Sequence, residues 1–564
     1  MQRRRKKKSN NFLIILIVGI IAFGFFFFKD NLFANTQIPE NPTMPSFRAF
    51  WSDSKSPFRK EIILDQNAQQ IVLEINHAEM VIDNKSLPSG FDLNVIGQSD
   101  TESSIIPFDI KNPDSVKTTI KFNNQKMFSK YFLYFGNKTA SKSNLNTFTE
   151  TIKTNSSLDL EEKTQVNVSL DKTWILKENN VSSVFAKVQT GLEIENTTIK
   201  VVINDNKSAE ISKSLVNGQF ELPTSKLNVG ENSFYVYFIK DSKVYKSNTF
   251  SFYYTAPLYV AWTIDWEGTA PDQKYLNDMA SISTEYNVPM THFYNPRIYI
   301  YLRTTDQRRK EVTDWVVSRI KAGDDLSLHM HMQHDLVEEA GVKAKYNEPS
   351  WDSGVSGYDT PTTAYSYDEV KKIIDWGITT LEDKFKKFSN YDIPKIQGYR
   401  AGGWFANIDT LKAIQDNGLI YDSSGRVSFE IGKNKFTQAW DLLNTSQPYI
   451  PSKVDQNTSN SNNMNLLEIP NNGADSYWSS AQEMIANFNA NYNHGEFLST
   501  DKLVVFLSHP DWFNIDDPKL RELFREIKKY RNDLDQGPVK FITLRDYLKN
   551  SEHANTLLNS FGNK

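Results

Sequence analysis

Side chains that could hold a metal ion and move protons are concentrated in the second half of the sequence. Three of the eight histidines fall within six residues, at His329, His331 and His334. Asp265 and Glu267 stand two positions apart at the end of an apolar run. The sequence contains no cysteine, so a metal site would have to use imidazole nitrogen and carboxylate oxygen. These residue types predict a metal-assisted hydrolytic site.

The spacing of these residues decides which of them can act together. In an extended strand, residues i and i+2 face the same way, so His329 and His331 could aim at one ion. By the same rule, one of the two acids could bind the metal while the other stays free as a base. A surface histidine cluster and a solvated acid pair are the alternatives. The apolar lead-in at Leu326–Leu328 favours a buried strand end.

An isolated arginine and an isolated histidine also follow apolar runs. Arg400 comes after Ile396–Tyr399 and before two glycines, which let a backbone approach a ligand closely. An arginine beside a carboxylate fixes the orientation of that group. His509 ends the run Leu503–Leu507 and could donate a proton. Taken alone, each could instead be structural.

Alternating strands and helices would bring these residues to one place. The strand candidates are 259–264, 290–294, 326–331, 396–400, 419–423, 465–469, 503–508 and 539–544, with helical spacing of apolar residues between them. This alternation predicts a distorted α/β barrel of seven or eight units in residues 256–550. In such barrels the reactive residues lie at the carboxyl ends of the strands.

Residues 48–255 have the short alternating runs and frequent turn residues of all-β structure. They predict two β-sandwich modules, at 48–150 and at 158–255, the second of immunoglobulin type. The fold class predicted for the whole chain is therefore multidomain, with all-β sandwich modules followed by an α/β domain.

The beginning of the chain predicts a membrane anchor. Residues 1–11 are strongly basic, and Phe12–Phe28 is an unbroken apolar run. At about 1.5 Å per residue this run is just long enough to cross a bilayer. The basic residues would keep the tail in the cytoplasm, with 29–47 as a linker and the bulk of the chain outside. A cleaved signal peptide is the alternative. The net charge of −4 gives no reason to expect a nucleic-acid partner.

The order of the motifs resembles that of the NodB-homology polysaccharide deacetylases, carbohydrate esterase family 4. Thr263-Ile-Asp-Trp-Glu-Gly268 is similar to the family's Thr-Phe-Asp-Asp-Gly motif, with one residue placed between the acids. Tyr399-Arg-Ala-Gly-Gly403 is similar to its arginine motif, and Leu507-Ser-His509 to its last motif. The family's histidine motif is His-x-x-x-His, whereas the residue four positions after His329 is Gln333. His331 or His334 must then supply the second imidazole, and strand geometry favours His331.

The resemblance implies a role for each of these residues. Zn²⁺ or another divalent metal would be bound by Glu267, His329 and His331. Asp265 would be the base, oriented by Arg400, and His509 would be the acid. The residues expected at the substrate are Trp266, Trp404, Leu507 and Trp512. The segments Pro349–Tyr367 and Asn457–Asn465 are candidate lids over the site.

The function implied is removal of N-acetyl groups from a cell-surface or exported polysaccharide by a membrane-anchored enzyme. Three other classes of function remain open. One is a non-catalytic carbohydrate-binding surface protein built on the same fold. Another is a metal-dependent hydrolase that acts on a different amide or ester. The third is an adhesin built from the β modules, for which residues 48–255 alone would bind.

Overall fold

The computed structural model covers most of the chain after the predicted anchor. It describes residues 53–562 except 54–55, 65–67, 100–101, 138–139, 141–145, 159–161, 164–165, 179–180, 191–193, 195–196, 207–209, 241–242, 352 and 433. The predicted anchor at 12–28 lies outside these residues. Among the described residues, every helix is too short or too polar to cross a bilayer. On this finding the prediction of a single-pass membrane protein is corrected.

The described strands of the first β region are hydrogen-bonded into one sheet whose residues share one apolar cluster, and the sandwich at 48–150 stays a prediction. The strands of this region are Phe58–Leu64 (β1), Gln70–Ile75 (β2), Asn94–Gln98 (β3), Ser103–Ile106 (β4), Phe108–Lys111 (β5), Thr118–Asn123 (β6), Lys130–Phe135 (β7), Asn146–Thr147 (β8), Ser156–Leu158 (β9) and Glu162–Lys163 (β10). The order within the described residues is β4-β3-β7-β1-β9-β2-β6-β5-β8, with β10 beside β1. Alternate residues of β6 are buried, as expected for a sheet with one face on a core.

The second β region consists of two sheets that enclose a shared core. Its strands are Val166–Leu170 (β11), Trp174–Leu176 (β12), Ser183–Thr190 (β13), Thr198–Ile203 (β14), Ile211–Ser214 (β15), Gln219–Pro223 (β16), Gly230–Lys240 (β17), Lys243–Lys246 (β18) and Phe250–Thr255 (β19). In the described residues one sheet has the order β11-β13-β16 and the other β12-β19-β17-β14-β15, with β18 beside β17. Val168 and Phe220 of one sheet and Val201 and Phe252 of the other belong to the same apolar cluster.

The third region is a parallel sheet with helices between its strands. The paired strands are Leu258–Asp265 (β20), Met290–Tyr294 (β21), Asp325–Met330 (β22), Gly398–Ala401 (β25), Tyr421–Asp422 (β26), Leu467–Glu468 (β29), Ala474–Asp475 (β30), Lys502–Ser508 (β31) and Val539–Phe541 (β32). Their order in the described residues is β29-β26-β25-β22-β21-β20-β31-β30, with β32 beside β20. Two small antiparallel pairs lie outside this sheet, Met332–Gln333 (β23) with Asp359–Thr360 (β24), and Glu430–Ile431 (β27) with Phe436–Thr437 (β28).

The edge strands β29 and β30 are separated by only five residues, 469–473, yet they stand at opposite ends of the strand order. Five residues span at most about 18 Å, so the sheet must curl to bring its edges near each other. No strand pair joins these edges in the described residues, and a closed barrel is not confirmed. The parallel α/β organisation that was predicted is present.

Helices cover this sheet because their apolar residues recur at helical spacing. The α-helices of the described chain are His77–Ile82 (α1), Gln273–Tyr286 (α2), Asp306–Lys321 (α3), His334–Glu339 (α4), Tyr367–Ser389 (α5), Ile408–Asp416 (α6), Ala481–Asn491 (α7), Phe513–Ile527 (α8), Leu544–Asn550 (α9) and Glu552–Asn559 (α10). Short 3₁₀ turns lie at Thr224–Lys226, Pro296–Tyr299, Thr362–Ala364, Gly402–Trp404, Pro510–Trp512, Lys528–Tyr530 and Ser560–Gly562. Helix α5 begins with a capping box between Ser366 and Glu369. It buries Val370, Ile373 and Leu381.

The carboxylate of Asp535 in the α/β region forms hydrogen bonds with the second β region. Asp535 accepts hydrogen bonds from the backbone N–H groups of Thr173 and Trp174 and from the Thr173 hydroxyl. The Trp174 ring also packs against Phe497, with ring centroids 5.8 Å apart. Residues 256–564 cut from the chain would therefore lose contacts that the full chain has.

Candidate metal centre and active site

The four motifs meet because each ends a strand of the parallel sheet. His329 pairs in register with Arg400 across β22 and β25, and Thr263 pairs with Leu507 across β20 and β31. Parallel neighbours end on the same side of a sheet, so the residues at these strand ends face one space. A cavity of about 130 Å³ lies there, lined by Asp265, Glu267, His329, His331, Trp351, Gly403, Trp404, Ile431, Tyr477, Trp478, His509 and Trp512.

Glu267, His329 and His331 form a cluster suited to a metal ion. One potential ligand atom from each residue lies within 4.8 Å of the other two. His331 Nε2 is 2.8 Å from Glu267 Oε2, and the two imidazole rings are 4.9 Å apart at their centroids. The i, i+2 spacing thus brings both histidines to one point, as the sequence predicted.

Hydrogen bonds set which nitrogen of each imidazole could bind an ion. His329 Nδ1 lies 3.0 Å from the carbonyl oxygen of Arg400, which can only accept, so Nδ1 carries the proton. His329 Nε2 is then left with a lone pair, and it is buried with no hydrogen-bond partner among the described residues. His331 Nδ1 lies 2.7 Å from Asp359 Oδ2, which leaves its Nε2 facing Glu267.

Glu267 and His331 pair as carboxylate and imidazolium, so a divalent cation would have to displace a proton from His331. Burial raises the pKa of Glu267, but the His331 imidazolium outweighs it and lowers the pKa to about 2. Burial lowers the pKa of His331, but the carboxylates of Glu267 and Asp359 outweigh it and raise the pKa well above the usual value. Burial and the charge of His331 lower the pKa of His329 far below its usual value. Metal binding displaces protons from such ligands, and two imidazoles with a carboxylate suit Zn²⁺.

Arg400 holds the second carboxylate of the site in place. Its Nη1 donates to Asp265 Oδ1 at 2.8 Å and to Thr263 Oγ1 at 2.9 Å. Its Nε and Nη2 donate to the carbonyl and hydroxyl oxygens of Ser423 at 2.9 and 2.8 Å. The guanidinium is fully buried and stacks over Phe293 at 4.0 Å. Asp265 is therefore fixed in orientation at the cavity wall.

His509 faces the cluster with a buried acid behind it. Its Nε2 lies 3.5 Å from Glu267 Oε1, and its Nδ1 lies 3.6 Å from Asp475 Oδ1. Burial lowers the pKa of His509, but the carboxylates of Asp475 and Glu267 outweigh it and raise the pKa to about 8. Burial raises the pKa of Asp475 to about 6. At neutral pH His509 can therefore hold a proton to donate.

Two predicted substrate residues line the cavity and two do not. Trp404 and Trp512 line it, and Trp512 is 41% exposed at its mouth. The prediction that Trp266 contacts substrate is wrong. Strand alternation turns its side chain away from Asp265 and Glu267 and into the core. Its ring packs on Tyr294 at 4.9 Å. Leu507 is also fully buried in the core, outside the residues that line the cavity.

His334 lies apart from the metal cluster. It begins helix α4, and its ring packs against Tyr346 and Tyr358 at 6.0 and 5.6 Å. Of the two histidines left open by the sequence, His331 is the one beside His329 and Glu267.

Six residues at the site were not predicted from the sequence. They are Trp351, Asp359, Ile431, Asp475, Tyr477 and Trp478. Asp359 and Asp475 belong to two-residue strands, which are too short to leave an apolar pattern. Of the two predicted lids, Pro349–Tyr367 supplies Trp351 and Asp359, whereas Asn457–Asn465 contributes no residue to the cavity lining.

Comparisons with known proteins found similar chains only among solved structures. No family model matches the chain, and no curated protein matches it. A solved structure of a putative polysaccharide deacetylase from Mycobacterium smegmatis aligns with 53% of this chain and 91% of its own, at 17% identity and a TM-score of 0.32. The peptidoglycan deacetylase PdaC from Bacillus subtilis aligns with 52% of this chain and 91% of its own, at 12% identity and a TM-score of 0.26.

A carbohydrate esterase family 4 pseudoenzyme from Bacillus anthracis aligns with 51% of this chain and 66% of its own, at 10% identity and a TM-score of 0.23. The chain resembles the family 4 deacetylases. At these identities and TM-scores the matches assign no activity, and both enzymes and pseudoenzymes are among them.

Proposed function

We propose that the chain is a metal-dependent deacetylase that removes N-acetyl groups from a polysaccharide. The most direct support is that one cavity brings together three kinds of group. These are the potential metal ligands Glu267, His329 and His331, the carboxylate of Asp265 and the imidazole of His509. A ligand cluster alone would suit a protein that only binds metal. The added base and acid are what hydrolysis of an amide needs.

The metal would be held by Glu267, His329 and His331. A divalent ion bound there would polarise the acetyl carbonyl and lower the pKa of a water molecule. Zn²⁺ fits the two imidazoles and one carboxylate, and other divalent ions accept the same donor atoms.

The proton transfers would be made by side chains of the chain itself. Asp265, held by Arg400 at 2.8 Å, would take a proton from the attacking water as its oxygen bonds to the acetyl carbon. His509 would give its proton to the nitrogen as the carbon–nitrogen bond breaks. The products are acetate and a free amino sugar.

The aromatic residues at the mouth of the cavity would contact the sugar rings. Trp404 and Trp512 line the cavity, and aromatic faces present apolar surface with a polar edge. We also propose that residues 48–150 and 158–255 are accessory modules beside a catalytic domain at 256–550.

Acetate release from defined substrates tests this function. The full chain, supplied with zinc, is incubated with an N-acetylglucosamine oligosaccharide and separately with an O-acetylated xylan, beside Asp265→Asn as the matched control. Acetate from the N-acetylated substrate, lost in Asp265→Asn, is the expected result. Acetate from the O-acetylated substrate alone would make the chain an esterase. Binding of the oligosaccharide without acetate would make it a carbohydrate-binding protein.

A further inference from the structure

A buried aspartate outside the predicted motifs holds one of the metal-ligand candidates. Asp359 Oδ2 lies 2.7 Å from His331 Nδ1, and the Asp359 side chain is 1% exposed. Asp359 reaches this place because β24 pairs with β23, where Asp359 stands opposite Gln333 and Thr360 opposite Met332. The carboxylate thus lies 28 positions beyond His331 in the sequence and is brought back to it by this strand pair.

Asp359 lies at the end of a loop, residues 346–360 with 352 left out of the description, whose own hydrogen bonds organise it. The Ser350 hydroxyl accepts from the backbone N–H groups of Tyr358 and Asp359 at 3.0 Å each. Gly357 donates to the Glu348 carbonyl at 2.8 Å. Gly357 has a φ of +72°, and a Cβ there would lie 2.4 Å from the Cα of Tyr346, so only glycine permits this fold of the loop.

The same loop also packs against the face of His331. Trp351 donates its backbone N–H to the Asp359 carbonyl at 3.1 Å, and its ring lies 5.4 Å from the His331 ring. On another side Gly402 approaches so closely that a Cβ would lie 2.7 Å from His331 Cδ2. The imidazole is therefore held by a hydrogen bond and by contacts from the 346–360 loop and from Gly402.

We propose that Asp359 is a positioning residue for the metal ion, and that the ion and the 346–360 loop stabilise each other. The proposal rests on the proposed function, because it takes Glu267, His329 and His331 as the metal ligands. By accepting from Nδ1–H, Asp359 fixes the tautomer of His331 whose Nε2 lone pair points at the ion. Carboxylates in this position orient a ligating histidine and make it a better donor.

The coupling between loop and ion follows from thermodynamic reciprocity. If the folded loop strengthens metal binding through Asp359, then bound metal must stabilise the folded loop by the same free energy. A purely structural role for Asp359 would instead hold the loop in place whether or not metal is bound.

Zinc affinity and hydrogen exchange of the full chain test the proposal. The variants are Asp359→Ala and Asp359→Asn, with Glu348→Gln as a matched control that neutralises an exposed acid in the same loop. The zinc dissociation constant is measured by competition with a chromophoric chelator. Exchange in the peptide spanning 346–360 is measured with and without zinc.

We expect Asp359→Ala to weaken zinc binding by about 10- to 100-fold, as is typical when such a partner is lost. Asp359→Asn should weaken it less, because the amide oxygen still accepts the hydrogen bond but carries no charge. Zinc should slow exchange of the loop in the wild type and in Glu348→Gln, and less in Asp359→Ala.

Zinc affinity within twofold of the wild type in a folded Asp359→Ala chain would overturn the proposal. If Asp359→Ala does not fold, Asp359→Asn decides in the same way. Absence of zinc binding by the wild type would remove this inference together with the metal centre of the proposed function. Wild-type zinc binding with an unaffected variant would remove this inference alone.

Discussion

The two halves of the site differ in how far the protein satisfies its own polar groups. On the Arg400 side, the guanidinium donates to Asp265, Thr263 and Ser423, and every one of these contacts is 2.9 Å or shorter. On the histidine side, His329 Nε2 is buried and has no partner among the described residues. The chain itself satisfies the donors on the Arg400 side, whereas the histidine side keeps a buried nitrogen lone pair that a metal ion could use.

This difference separates two roles that a hydrolytic site must combine. A rigid, fully bonded network can orient a base before substrate arrives, which avoids reorganisation during the reaction. A buried cluster with an unused lone pair can be stabilised further by an ion that binds to it. Variants on the two sides should therefore both lose activity, but only variants on the histidine side should lose the metal.

The largest effect is expected from removal of His329. His329→Ala should lose zinc and lower kcat/KM by at least about 10³-fold, since the metal supplies several kcal/mol of transition-state stabilisation. Zinc per chain and acetate release are measured on the same sample. His334→Ala is the control, because His334 lies outside the cluster. Zinc retained by His329→Ala would contradict the ligand assignment.

Removal of the base should leave the metal in place. Asp265→Asn should bind zinc as the wild type does and lower kcat by roughly 10²- to 10⁴-fold, the contribution usual for a general base. Metal analysis and steady-state kinetics check both parts. Loss of zinc in this variant would show that Asp265 also contributes to metal binding, and would contradict the assignment of separate roles to the two sides.

The role of His509 as the acid should be visible in the pH dependence of kcat. His509 donates only when protonated, so with a pKa of about 8 activity should be present below that pH and decline above it. Asp475→Asn removes a carboxylate that raises the pKa of His509, so the decline should move to lower pH. A descending limb that stays at the same pH in Asp475→Asn would show that another group donates the proton.

A smaller effect is expected in the stability of the Arg400 side. Burial raises the pKa of Asp422 to about 6, and burial together with Asp422 raises the pKa of Glu468 well above its usual value. Both carboxyl groups therefore bind their protons more tightly in the folded protein than in the unfolded chain. Their stabilisation is present below the unfolded pKa near 4 and is lost as pH rises through the folded pKa values.

Glu468→Gln should therefore flatten this dependence. Between pH 5 and pH 7.5 the free energy of unfolding of the wild type should fall more than that of the variant, by on the order of 1 to 3 kcal/mol. Urea unfolding at both pH values measures the difference. If the free energy of unfolding falls equally in the two proteins between these pH values, the buried pair of Asp422 and Glu468 does not have the raised pKa values described above.

The sequence predicted the centre of the site because its residues end long buried strands. Strand β22 is buried at all six positions, and the i, i+2 spacing predicted that His329 and His331 lie side by side, as they do. The sequence did not reveal Asp359 and Asp475, because their partners lie 28 and 34 residues away in elements of two residues. Trp266 was misassigned because its neighbours in sequence face the cavity while its own side chain faces the core.

The β regions show the same limit on a larger scale. Alternating runs correctly indicated strands in residues 48–255, but pairing over long separations decides whether the strands form one sheet or two. Asp535 fastens the second β region to the α/β region through Thr173 and Trp174, which no local pattern encodes. For this reason the decisive experiment uses the full chain.

The most direct test is a zinc titration of the metal-stripped full chain with acetate release recorded in the same samples. We expect one zinc to bind per chain, and release of acetate from an N-acetylated oligosaccharide to rise with zinc and level off at one equivalent. Acetate release that is undiminished after removal of the metal, or one bound zinc with no acetate, would contradict the account.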